Sequence, residues 1–183
     1  MLECLVEGEI SERVSAMDRG LHYGDGLFET MAVFQGSPRF WQGHMDRLAV
    51  GCERLGLPAT PQAVLLREVQ TVSAGRRRCV VKVIITRGTS GRGYGADAEV
   101  RTNRVVGSWA WPEDPGHLVE TGIRTRICDL RLGIQPALAG IKHLNRLEQV
   151  MARAEWSDRG IHEGILLDAE DYVISAISSN LFL

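Results

Sequence analysis

Lysine is almost absent from this chain. Of 21 basic residues among 183, only Lys82 and Lys142 are lysines, and the other nineteen are arginines. Arginine keeps its proton at neutral pH, whereas lysine can become a neutral amine when its surroundings favour it. Amine nucleophile chemistry is therefore confined to two positions. Positive charge is not in excess, with a formal net charge of -2, which argues against a dedicated nucleic-acid binder. The one basic run, Arg76 to Arg78, follows Gly75 and precedes an apolar stretch, and reads as a solvated loop. Cysteines fall at 4, 52, 79 and 128 with no C-x-x-C, so neither a zinc site nor a disulfide framework is indicated, and no metal is expected. No apolar run reaches membrane-spanning length, and "MLECLVEGEI" has no basic segment followed by a long apolar core. A reducing cytoplasm is the expected home. Hydrophobic residues make up 44% of the chain, enough for one full domain or two small ones.

The pattern is mixed α and β. "LECLVEGEI" reads as a short hairpin turning at Glu7-Gly8, and the glycine-rich "DRGLHYGDG" as a loop. "LFETMAVFQGSPRFW" gives two strand-like runs around Gly36-Ser37-Pro38. From His44 to Leu55 the period becomes helical, with Leu48, Cys52 and Leu55 on one stripe, and Gly56 and Pro58 ending it. A second helix is predicted from Pro61 to about Ser73, with Leu65, Val69 and Val72 inward. "CVVKVIITRG" is a strand whose near-continuous apolarity predicts burial on both faces, and "NRVVGSWAW" is another. "PEDPGH" is the best candidate linker, dividing the chain into residues 1–114 and 115–183. Beyond it lie the strand "GIRTRICDL", a helix from about Arg146 to Ser157, and the strands "GILLD", "YVISA" and "NLFL". The second part is short for an independent core. It is expected either to be incomplete or to be a short fold with its last strand packed centrally.

Lys142 stands in "AGIKHLNRLEQV". Asn145 can cap the helix that follows, with Glu148 at capping-box spacing, and Leu144, Leu147, Val150, Met151 and Ala154 form its expected buried stripe. A helix N-terminus ahead of the amine, together with partial burial, would disfavour the ammonium. The residues alone leave a surface lysine after a glycine turn equally open. Lys82 interrupts a strand and is expected to face solvent or an interface. Gly88, Gly91, Gly93 and Gly95 could suggest a phosphate loop, but no Gly-Lys-Ser/Thr follows, and a nucleotide site is discounted.

"GIKHLNRLEQV" resembles the cofactor-lysine segment of the aminodeoxychorismate lyases, pyridoxal-phosphate enzymes of fold type IV. "DRGLHYGDGLFET", "HMDRL", "RGTSGRGYG" and "ISSNLFL" are similar to that family's other segments, in the same order along the whole chain. The resemblance implies an α+β, two-domain fold whose C-terminal domain is incomplete. It implies pyridoxal 5'-phosphate as cofactor, a small-molecule substrate and a homodimer, with no nucleic acid and no membrane. By the same resemblance Lys142 would hold the cofactor aldehyde covalently and later move protons. Arg47 would meet the phosphate. Ser175, Ser178, Ser179 and Asn180 would line the cofactor pocket, Thr30 would relay a proton, and Arg92 and Tyr94 would receive substrate carboxylate.

The chain departs from the family at Ser175, where the family has a glutamate that keeps the pyridinium nitrogen protonated. Serine brings no charge, and each pKa unit lost there is worth about 1.4 kcal/mol between the two protonation states. Slowed chemistry is expected. The implied activity is conversion of 4-amino-4-deoxychorismate to 4-aminobenzoate and pyruvate. D-amino acid or branched-chain aminotransfer on the same scaffold is the first alternative. A non-catalytic fragment that only associates with an intact subunit is the second.

Overall fold

The computed structural model describes residues 3–95, 101–112 and 116–182. They form two compact units, Met1–Pro112 with Gly140–Leu144, and Glu113–Ala139 with Asn145–Leu183. The short segment carrying Lys142 therefore belongs with the first unit, although the sequence boundary puts it in the second. The proposed linker "PEDPGH" falls partly on 113–115, outside the described residues.

The first unit is built on six antiparallel strands, β1 (Glu3–Val6), β2 (Glu9–Ile10), β3 (Gly26–Phe34), β4 (Ser37–Pro38), β5 (Arg78–Thr86) and β6 (Asn103–Ala110), in the order β2-β1-β6-β5-β3-β4. The first hairpin turns at Glu7 and Gly8, both at positive φ, as its sequence predicts. The next turn sits one residue early. Gln35 and Gly36 take the left-handed conformation, and Ser37 and Pro38 already pair with Phe34 and Val33. The "DRGLHYGDG" segment is not wholly loop. Asp18 caps a short helix, α1 (Arg19–Tyr23), by accepting from the Gly20 amide at 2.7 Å, and Gly24 at φ 65 ends it.

Side chains alternate across a strand. On β3, Leu27, Glu29, Met31 and Val33 point to one face, opposite Ile85, Val83, Val81 and Cys79 on β5, and all eight are buried. Helices α2 (Trp41–Leu55) and α3 (Gln62–Val72) cover that face, α2 over β3 and α3 over β1, β5 and β6. Gly51 lets α2 approach closely, because a Cβ there would lie 2.8 Å from Leu27 Cδ1. The expectation that β5 is buried on both sides fails. Val80, Lys82 and Ile84 are only half-buried, because α2 and α3 pack on the opposite side.

Residues 140–144 run beside β3. The Phe28 amide donates to the Lys142 carbonyl at 2.9 Å, the Leu144 amide donates to the Gly26 carbonyl at 3.0 Å, and Leu27 and His143 form an antiparallel bridge. Gly26 is required at this crossing. A Cβ there would fall on the Ile85 carbonyl oxygen and within 2.8 Å of Leu144 Cδ1.

The second unit holds α4 (Gly116–Thr121), β7 (Thr125–Leu132), α5 (Leu147–Arg153), β8 (Glu163–Asp168) and β9 (Val173–Ala176). Its sheet order is β7-β8-β9, parallel then antiparallel. Cys128, Ala152, Trp156 and Leu166 make the core, with Leu130, Leu132, Ile161 and Ile177 against it. Helix α5 is shorter than its periodicity predicts, and Arg146, not Asn145, is the residue that precedes it, with no side-chain cap. Glu148 accepts from the Gly133 amide at 3.2 Å in place of closing a capping box. The predicted stripe is not buried. Leu147 is 69% exposed, Val150 62% and Met151 56%. Residues 180–182 do not form the predicted last strand, and Leu183 lies outside the described residues.

Candidate functional site

The pairing of residues 140–144 with β3 decides where Lys142 goes. His143 lies opposite Leu27, so Lys142 lies opposite Phe28, on the sheet face that α2 and α3 leave uncovered. Lys142 is half-buried, and its Nζ sits 4.7 Å from the centre of the Phe28 ring. The other lysine of the chain reaches the same ring, with Lys82 Nζ at 4.5 Å from its centre. Lys82, expected to face solvent or an interface, is half-buried. It is the direct cross-strand partner of Thr30, which shares the Phe28 face and is exposed. An ammonium is attracted to such a ring, and two ammonium groups on one ring repel each other. An aromatic ring, a hydroxyl and both amines of the chain thus meet on one patch of sheet.

The helix expected to bias Lys142, α5, begins at Leu147 in the second unit.

Arg47 lies on α2, above the opposite face of β3. Its Nε and Nη2 donate to the two carboxylate oxygens of Glu29, each at 2.6 Å, and His44 Nδ1 lies 2.7 Å from Glu29 Oε2. His44 and Arg47 are three residues apart on one helix and so share a face. Burial pushes the Glu29 carboxyl up, but the hydrogen bonds and charges of Arg47 and His44 outweigh it and hold the group below the ordinary carboxylate range. The Glu29 hydrogen bond raises Arg47 in turn, against the opposing effect of burial. The Arg47 side chain remains 45% exposed while that of Glu29 is 1% exposed. Two of the five guanidinium donors are taken by Glu29, and among the described residues Nη1 and the second hydrogen of Nη2 remain for a ligand.

Arg92 and Tyr94 are exposed on the Gly-rich loop, with Tyr94 86% exposed and its ring 5.3 Å from that of Tyr23. The loop is held by Arg19, which is 4% exposed. Its Nη1 donates to Ser90 Oγ, Gly93 O and Gly95 O, its Nη2 to Tyr94 O, and its Nε to Asp25. Arg87 also donates to Asp25. Burial pushes the Asp25 carboxyl up, and the two guanidinium groups more than reverse that.

In the second unit, Ser178 and Ser179 surround a carboxylate. Glu163, 5% exposed, accepts from Ser178 Oγ at 2.7 Å, from Ser179 Oγ at 2.6 Å, from the Ser179 amide at 3.0 Å and from the Gly164 amide at 2.9 Å. Burial raises this carboxyl, but the donors outweigh it and its pKa is lowered. The two serine protons are therefore committed within the unit, and only the oxygen lone pairs and neighbouring backbone remain to meet a ligand. Ser175 is half-buried on β9, opposite Leu166, and Asn180 is exposed.

Sequence reasoning missed Glu29, His44, Lys82, Arg19 and Glu163. The "FET" and "HMDR" segments did carry a legible signal, an acid on a strand and a histidine and an arginine three apart on a helix. Lys82 carried none, because the register of β3 on β5 is not written in either strand.

The amino-transferase class IV family model matches residues 26–183, and the chain belongs to that family. The fold is the mixed α/β fold of the fold-type IV enzymes, as the sequence resemblance implied. The crystal structure of 4-amino-4-deoxychorismate lyase from Pseudomonas aeruginosa superposes with a TM-score of 0.90 at 45% identity, covering 97% of this chain and 65% of that one. Aminodeoxychorismate lyase from Vibrio harveyi is 32% identical over 97% of this chain and 65% of its own length. Branched-chain aminotransferase from Escherichia coli shares the fold, with a TM-score of 0.83 at 21% identity over 96% of this chain and 62% of that one. The chain thus spans about two thirds of the lyases' length.

Proposed function

We propose that this chain is a pyridoxal-phosphate-dependent lyase acting on 4-amino-4-deoxychorismate and giving 4-aminobenzoate and pyruvate. The observation that carries the reading is the placement of Lys142 beside Phe28, on the face shared with Thr30, in a chain 45% identical to a lyase named for that substrate. The donors present suit the cofactor. Lys142 supplies an amine for its aldehyde, and the part-exposed Arg47 keeps guanidinium donors beyond those bound to Glu29 for its phosphate. Pyridoxal phosphate, when bound, supplies a ring that withdraws electrons from the substrate's amine-bearing carbon. Lys142 Nζ then takes the proton from that carbon, and Thr30 Oγ1 hands a proton to the departing enolpyruvyl group, which leaves as pyruvate. Formation of an aromatic product drives the step, which is why a neutral Ser175 in place of the family's glutamate slows this reaction less than it would slow aminotransfer. Asn180 and the backbone around Ser178 and Ser179 contribute to the cofactor pocket, and Arg92 and Tyr94 hold substrate carboxylate. The division of labour follows two domains, 1–114 and 115–183, with the Lys142 segment of the second grouped with the first. The working protein is a cytoplasmic homodimer.

Aminotransfer is the second reading, favoured by the shared fold with branched-chain aminotransferase. Incubating the chain and pyridoxal phosphate with aminodeoxychorismate, and separately with D-alanine or leucine and a keto acid, separates the two. Appearance of 4-aminobenzoate with no amino-group exchange supports the lyase; exchange without 4-aminobenzoate reverses the assignment. A chain that does neither is a non-catalytic partner of an intact subunit.

A further inference from the structure

We propose that Glu29 is a positioning residue that aims the Arg47 guanidinium at a phosphoryl group. The inference rests on the reading of Arg47 as the cofactor's phosphate contact.

Glu29 lies on the helix-covered face of β3 and is fully buried. Its carboxylate accepts from Arg47 Nε and Nη2 as a two-pronged fork, and from His44 Nδ1. A carboxylate so enclosed cannot be left without a charge partner except at large cost. A ligand arriving at the exposed side therefore cannot draw Arg47 off this fork. The guanidinium is planar and rigid, so fixing one edge fixes the direction of the opposite one. The donors left over, two on Nη1 and one on Nη2, form a parallel pair suited to two phosphoryl oxygens. The rotamer freedom of Arg47 is spent in folding and not again in binding, which favours the phosphorylated ligand. Glu29 also cancels the charge of Arg47, so discrimination comes from aimed donors more than from net positive charge. Glu29 touches no ligand and acts only through Arg47.

The test uses the full chain and compares dissociation constants for pyridoxal 5'-phosphate and for pyridoxal, which carries the same aldehyde without the phosphate. Their ratio reports the phosphate contact alone. Arg47→Gln is expected to collapse the ratio. Glu29→Gln, which keeps the side chain's size, is expected to lower it about tenfold while pyridoxal binding changes less than about twofold. In an Arg47→Gln background, Glu29→Gln is expected to add nothing. A folded Glu29→Gln chain with the wild-type ratio overturns the inference and leaves the Arg47 reading standing. A wild-type ratio in Arg47→Gln sinks that reading, and this inference with it. Should Glu29→Gln fail to fold, the wild-type chain answers directly. On titration with inorganic phosphate, the Arg47 Nε–H resonance should keep its position and slow exchange while the Nη resonances move. Loss of that protection at saturating phosphate overturns the inference.

Discussion

Leu48 and Cys52 on α2, and Leu65, Val69 and Val72 on α3, are closed against the first unit's sheet, none more than 6% exposed. On α5 of the second unit, Leu147, Val150 and Met151 occupy equivalent spacings and are all more than half exposed. The helical period is equally clear in both. A stripe of apolar residues says which side of a helix wants a partner; tertiary contacts decide whether it has one. The units also differ in how they bury charge. The first places ions against ions, Glu29 with Arg47, Asp25 with Arg19 and Arg87, and Glu68 with Arg104. The second surrounds Glu163 with neutral hydroxyls and amides.

Substitutions distinguish the two units. Gly26→Ala should have the largest effect, about 4 kcal/mol, because the new Cβ meets the Ile85 carbonyl and not a movable side chain. It should also detach residues 140–144 from β3, visible as faster amide exchange at Phe28. Leu65→Ala should cost about 3 kcal/mol in chemical denaturation, as a fully enclosed leucine leaving a cavity. Gly164→Ala, the counterpart in the second unit, meets only side chains, Cys128 Sγ, Ile177 Cδ1 and the Trp156 ring, and should cost about 2 kcal/mol. Leu147→Ala should change stability by less than about 0.5 kcal/mol, since the stripe has little contact to lose. A large loss there would mean that α5 is covered in solution.

Acid separates the units by slope. Asp25 and Glu29 in the first, and Glu163 in the second, all have lowered pKa values. A lowered carboxyl contributes its stability in full above its unfolded pKa of about 4, and that contribution is lost as pH falls through the folded value. Amide exchange in β5 and β8, followed downward from pH 5, should show both units weakening below about pH 4, the first more steeply. No loss in β5 across that range would contradict the ion-pair account of Glu29.

Much of the first unit was legible because its signals are local. Gly56 ends α2 where the period stops, and Glu7-Gly8 turns the first hairpin. Lys142 was legible as the chain's scarce amine in a specific segment. Its surroundings were not. Phe28 and Lys82 reach it through β3–β5 register and through a five-residue stretch, 140–144, that groups with the first unit despite its distance along the chain. The Asn145 cap failed because Glu148 found the Gly133 amide, a contact between residues fifteen apart that no capping motif encodes. Ser178 and Ser179 read as ligand donors because Glu163, on a different strand, was not visible as their acceptor.

Lys142, and not Lys82, is the amine that captures the cofactor aldehyde, and reductive trapping decides between the two. The chain is incubated with pyridoxal phosphate, reduced with borohydride and mapped by peptide mass. A single adduct on Lys142, absent from Lys142→Ala although Lys82 remains, is the result predicted. An adduct on Lys82, or capture undiminished in Lys142→Ala, would contradict it.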